Sequence, residues 1–200
     1  VENGAGPNLM ICRRSALFIA TEFGHSDIVT YLLRTKGINV VQLDRYSNNL
    51  LHFVGHCGNG AQLAEEFIKR GCLVNQPSVV YEMPLMSLCK SFNKCRCNVC
   101  DLLQVLLKNG AYVNILFSGN SAVSGALGND SCLGFAFMAD NVEYAKILIS
   151  YGAMLPDQFK LPLLSNAVRK LKVGHVGLLL KSYAFTPKMC VWLMDYTVNN

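Results

Sequence analysis

Residues 93–101 read NKCRCNVCD and place three cysteines within six positions, at Cys95, Cys97 and Cys100. Three thiolates could bind zinc, which favours four ligands in a tetrahedron, and Cys89 is the nearest candidate for a fourth. The strong zinc pattern of two Cys-x₂-Cys pairs is absent. Lys94 and Arg96 stand beside the cluster, and a nearby cation lowers a thiol pKa, so a redox-sensitive thiol is a second reading. A plain irregular loop is the third, and spacing alone leaves all three open. His52 and His56 are four apart and would share one face of a helix. Metalloproteases use that spacing with a glutamate as base, whereas this stretch is HFVGH. No G-x-S-x-G elbow, Walker loop or G-x-G-x-x-G occurs, and the glycine-rich stretch 118–130, SGNSAVSGALGND, holds no lysine. With nine cysteines, chance Cys–His pairings are expected. The expectation is a chain without catalysis, cofactor or bound metal.

Whatever these residues do, a packed core must position them. Hydrophobic residues make up 52% of the 200 and charged residues 16%, which is too apolar for a disordered chain. The cysteine count is odd and the spacing irregular, unlike a secreted disulfide scaffold. That points to reduced thiols, many buried as small apolar groups, in the cytoplasm or nucleus. The net charge of +5 is mild, and basic residues concentrate only at Arg169, Lys170, Lys172, Lys181 and Lys188. A solvated face accounts for them, which argues against a nucleic-acid partner. No apolar run reaches the roughly eighteen residues of a membrane helix, so no membrane insertion is expected. The N-terminal VENGAGPNLM does not have the form of a signal peptide.

The positioning elements repeat. Residues 15–37, 49–71, 83–114 and 131–153 share one grammar: an apolar helix, a tight link, a second apolar helix, then Gly with a small or apolar residue. The anchor leucines are Leu17, Leu51, Leu85 and Leu133, and the first two intervals are each 34 residues. The third segment carries about five extra residues between its helices, and these are the cysteine stretch. Asp101 is expected in the first turn of the second helix there, where negative charge suits the helix dipole. A fifth unit fits 161–185, with Leu164 and Ala167 in register.

These segments resemble the ankyrin repeat, with a period of about 33 residues and the signature T-P-L-H-x-A. The signature is eroded but legible as Ser15-Ala16-Leu17-Phe18-Ile19-Ala20, Asn49-Leu50-Leu51-His52-Phe53-Val54 and Met83-Pro84-Leu85-Met86-Ser87-Leu88. Gly24-His25 and Gly110-Ala111-Tyr112-Val113-Asn114 match the family's inter-helix and closing motifs. The resemblance implies an all-α ankyrin-repeat solenoid of helix-turn-helix units joined by hairpin loops. Its array would cover 1–185: the end of one repeat at 1–10, then repeats at about 11–43, 44–76, 77–116, 125–156 and 157–185. Residues 186–200, with Trp192, would form a capping segment, and Glu2 to Asn8 would belong to a repeat that starts upstream. The closing glycines should be left-handed. The family also implies a structural, hydrogen-bonding role for His52 and a buried thiol at Cys89.

The resemblance implies function as well: a non-catalytic module that binds a partner protein or peptide through a concave face and hairpin loops. Contact positions carried over from the family are Ile19, Phe53, Ser87 and Phe135, then Glu22, Phe23, His56, Cys57, Lys90, Ser91, Met138 and Ala139. Tyr46, Tyr81 and the 115–130 loop are the hairpin candidates. The set is apolar for a surface facing water, and exposed apolar patches mark contact sites. The alternatives are a substrate-recognition subunit of a ubiquitin ligase, with ligase components as partners, or a regulatory segment of a larger enzyme or channel.

Overall fold

The computed structural model describes residues 6–115, 131–139 and 141–185. Residues 2–5, the stretch 116–130 and the expected cap at 186–200 with Trp192 lie outside the described residues. The chain divides into two compact units, Val1–Tyr112 and Val113–Asn200.

In the first unit a short hairpin, β1 (Met10–Ile11) and β2 (Arg14–Ser15), leads into α1 (Ala16–Glu22) and α2 (Ser26–Leu33). The Ser15 hydroxyl caps α1 by accepting from the Phe18 N–H. Two 3₁₀ turns, Leu50–His52 and Val54–His56, then precede α3 (Gly60–Lys69). α4 (Pro84–Lys90), a 3₁₀ turn at Phe92–Lys94 and α5 (Val99–Lys108) complete the unit. Asn98 caps α5, and Asp101 sits in its first turn as expected.

The first helix expected in the second repeat is therefore two 3₁₀ turns. Its Gly55 is a poor helix former. The Gly55 carbonyl is also taken by the backbone N–H of Arg96, at 3.0 Å, from the cysteine stretch of the next repeat. A tertiary hydrogen bond replaces the one an α-helix would make.

The anchors behave as the repeat requires: Leu17, Leu51 and Leu85 are at most 1% exposed, as are Phe18, Phe67, Leu102, Leu103 and Leu106. Burying a side chain of this size contributes roughly 1.5–3 kcal/mol. Side-chain amides join the closing turns. Asn8 donates to the Gly37 carbonyl and accepts from the Asn39 N–H, and Asn75 does the same with Gly110 and Tyr112. Four residues after Gly37 the amide is replaced by Val41. At that joint the Cys72 thiol donates to the Val40 carbonyl instead.

The second unit pairs α6 (Cys132–Met138) with α7 (Val142–Ser150) and α8 (Asp157–Arg169) with α9 (Val173–Ser182). Leu133, Leu148, Leu164 and Leu179 are buried in its core. Asn114 makes the same two-bond bridge, to the Gly152 carbonyl and the Met154 N–H. α8 starts a turn before Pro162, with an Asp157–Lys160 ion pair in that turn. The Tyr183 hydroxyl donates to the Ala153 carbonyl, and burial pushes its pKa up to about 12.

The closing glycines Gly37, Gly71, Gly110 and Gly152 are left-handed, with φ between 77° and 99°. Gly24 carries a second constraint: with φ at +72°, its Cβ would lie 2.3 Å from the His56 carbonyl oxygen. At Gly37 a Cβ would meet nothing within 4 Å. Gly37→Ala should cost about 1–2 kcal/mol, the left-handed penalty alone. Gly24→Ala should cost on the order of 3 kcal/mol or more, because backbone must also move. Urea denaturation of the two variants checks this, and equal losses would refute the close approach.

Candidate partner-binding groove

The hairpin loops of the second and third repeats use one device. The Asp44 carboxylate accepts from the N–H groups of Tyr46 and Asn48 and from the Asn48 amide. Thirty-four residues on, the Ser78 hydroxyl accepts from the N–H groups of Val80 and Glu82. The Val79 N–H donates to the Tyr46 carbonyl at 2.8 Å and ties the two tips together. Between these tips and the helical layer lies a groove of about 320 Å³. Tyr46, Phe53, His56, Val79 and Val80 give it an apolar and aromatic lining, and Ser87 and Ser91 supply hydroxyls.

Phe53 is half-buried and packs edge-to-face on Phe18, with ring centres 5.5 Å apart. Imidazoles flank it: His52 at 6.4 Å and His56 at 6.1 Å. His52 Nε2 faces the Glu82 carbonyl at 3.1 Å, so it must carry the proton. Nδ1 then accepts from the Asn49 N–H at 3.1 Å. His52 thus bridges its own repeat to the next hairpin, the structural role its motif position implies. His56 Nδ1 lies 2.7 Å from the Glu22 carbonyl and donates to it. The two histidines face different carbonyls, so their sequence spacing does not gather them into a shared site.

On the rim, Glu82 is ion-paired with Lys90 and accepts from the Ser87 hydroxyl. Arg45 lies over the Tyr46 ring, 4.7 Å from its centre.

Tyr46, Phe53, His56, Ser87 and Ser91 are thus brought together. Tyr81 stands next to the groove wall and is 72% exposed. Ile19, Glu22 and Phe23 sit on α1 and its end: Ile19 and Phe23 are exposed, Phe23 stacks on His25, and Glu22 is ion-paired with Arg14. Cys57 is fully buried with its thiol toward the Thr21 carbonyl, so it is no contact residue. In the second unit Phe135 is half-buried and Met138 exposed, its sulfur accepting from Asn166. Except for Ile115, the 115–130 loop lies outside the described residues. Sequence reasoning missed Val79 and Val80. Their place in the third hairpin, opposite Tyr46, was the available signal.

The cysteine stretch packs onto the preceding repeat. A Cβ on Gly55 would lie 3.1 Å from Cys95 Sγ, and one on Gly60 would lie 3.0 Å from Cys97 Sγ. Cys95 donates to the Ser91 carbonyl and Cys97 to that of Gly55. Burial pushes the Cys95 thiol up and the Cys97 thiol up to about 11. The lowered thiol pKa of the second reading is therefore not found at Cys95 or Cys97, despite Lys94 and Arg96 beside them. Among the described residues no three His, Cys, Asp or Glu side chains are gathered to hold a metal. Cys89 is buried as expected.

Helix pairs closed by left-handed glycines and joined by hairpins define the class. The family model of the ankyrin repeat matches residues 12–45, one full period, and the helical architecture is consistent with an all-α ankyrin-repeat solenoid. No curated protein matches the chain. The ankyrin repeat is a generic protein–protein interaction module. Among the described residues no helix is long and apolar enough to cross a membrane.

Burial lowers the His52 pKa from its ordinary 6.5. The unfolded chain takes up this proton as pH falls through about 6.5, and the folded chain resists it. The stability that neutral His52 confers is thus present above that pH and lost below it. The stability gap between wild type and His52→Gln should narrow from pH 7.5 to 5.5. Urea midpoints at the two values check this, and a gap that widens on acidification would contradict it.

Proposed function

We propose that this chain is a non-catalytic recognition module, and that the groove between the second and third hairpins seats an apolar side chain of a partner protein or peptide. One observation carries the reading: half-buried Phe53 forms an aromatic floor below exposed Val79, Val80 and Tyr46. Apolar surface left facing water at a preformed groove favours a ligand that covers it, and aromatic side chains dominate such contacts. Ile19, Glu22 and Phe23 extend the same face along the first repeat, while Phe135 and Met138 offer a separate contact in the second unit. Reduced thiols fit a cytoplasmic or nuclear setting. A ubiquitin-ligase receptor, or a regulatory segment of a larger enzyme or channel, would use the same surface within a longer polypeptide.

Phe53→Glu places a charge on the groove floor, and Val80→Asp places one on an exposed wall where the fold tolerates it. Both should reduce affinity for peptides selected against the wild-type chain by at least about tenfold, equivalent to 1.4 kcal/mol. Circular dichroism confirms folding, and fluorescence anisotropy reads affinity. Two folded variants that bind as wild type does would remove the groove from the reading.

A further inference from the structure

The three hairpin tips of the first unit hold Arg13, Ser47 and Tyr81 at φ of 60°, 61° and 59°. These residues recur every 34 positions and occupy the left-handed region, which strains an L-residue and costs glycine nothing comparable. Glycine would be the relaxed choice at each tip. At Tyr81 burial does not compensate the strain, because the side chain is 72% exposed beside Val80, itself 71% exposed. Strain held without a packing return is a pointer to function.

Charge on these tips is one-sided at the rim. Glu22 and Glu82 are ion-paired with Arg14 and Lys90. The Asp44 carboxylate is turned inward onto its own hairpin. Arg13 and Arg45 are exposed and have no carboxylate partner among the described residues, and Arg45 with the Tyr46 ring forms a cationic and aromatic platform. Arg45 sets a guanidinium, a group that binds carboxylates well, beside the groove-lining Tyr46, and Arg13 sets another at the tip of the first hairpin.

We propose that the hairpin tips select an acidic peptide segment, with Tyr81 as a specificity-determining contact kept at the expense of stability. The inference rests on the groove reading for the seat of the peptide's apolar anchor and adds its chemical class: a Phe, Leu or Trp flanked by Asp or Glu. The aliphatic wall and the pair of unpartnered guanidiniums suit such a segment better than a nucleic-acid backbone, which calls for a broad basic surface.

The test is selection of random short peptides displayed on phage against the whole chain, then fluorescence anisotropy with the synthetic winners. Acidic winners with an apolar anchor are expected. Arg45→Ala and Arg13→Ala should each weaken them about fivefold, and added salt should weaken them too. Tyr81→Gly should raise the thermal midpoint while weakening binding, opposite signs that a purely structural Tyr81 would not give. Neutral or basic winners that are lost with Val80→Asp would overturn the acidic class and keep the groove. Acidic winners sensitive to Arg45→Ala but indifferent to Val80→Asp and Phe53→Glu would overturn the groove and keep the tips. Tyr81→Gly that destabilises the fold or leaves binding unchanged would overturn the role of Tyr81. Tighter binding of single-stranded polyuridylate than of any winner, or no winner at all, would overturn the proposal.

Discussion

A pair of short amphipathic helices cannot bury its own apolar stripe, and Leu17, Leu51 and Leu85 reach full burial only because neighbouring repeats close over them. Everything else in the first unit serves that close approach. Gly24 lacks a side chain because the next repeat's His56 carbonyl occupies the space. The Asn8 and Asn75 amides satisfy backbone groups that successive closing turns would otherwise leave without partners. His52 does the same between a helical layer and the following hairpin.

The groove is a by-product of this stacking. Fixing the second and third tips by Asp44, Ser78 and the Val79–Tyr46 hydrogen bond sets a rigid gap above Phe53. A rigid gap binds with less ordering cost than a loop that must be shaped by its ligand. Phe53 is the shared element: one edge packs on Phe18 in the core, and the remainder faces the groove.

Legibility in the sequence followed the range of the interactions. The leucine interval, the closing glycines, Asp101 at the start of α5 and the bonding role of His52 are local or periodic features, and each is found where the pattern placed it. The 3₁₀ turns of the second repeat depend on a hydrogen bond from Arg96 to Gly55, about forty residues away, which no propensity encodes. The cysteine stretch left its readings open for the same reason: adjacent Lys94 and Arg96 would lower a thiol pKa, whereas burial against Gly55 and Gly60 raises those of Cys95 and Cys97. Phe53 and His56 were singled out through the repeat register and Tyr46 as a hairpin residue, and all three line the groove. Val79 and Val80 were not singled out, because they become a wall only when the third hairpin is tied to the second.

The cysteine insertion has a consequence for how the first unit opens. In a plain stack each repeat can detach at its interface, and opening runs inward from the ends. Here the Arg96 N–H and the Cys97 thiol reach back across the interface to the Gly55 carbonyl, and Cys95 and Cys97 pack against Gly55 and Gly60, so the second repeat's irregular first layer is tied to the third. Amide exchange across Leu50–His56 and Val99–Lys108 would follow one shared opening equilibrium, a single foldon spanning two repeats. What reads as an interruption of the period is the feature that makes two neighbours inseparable.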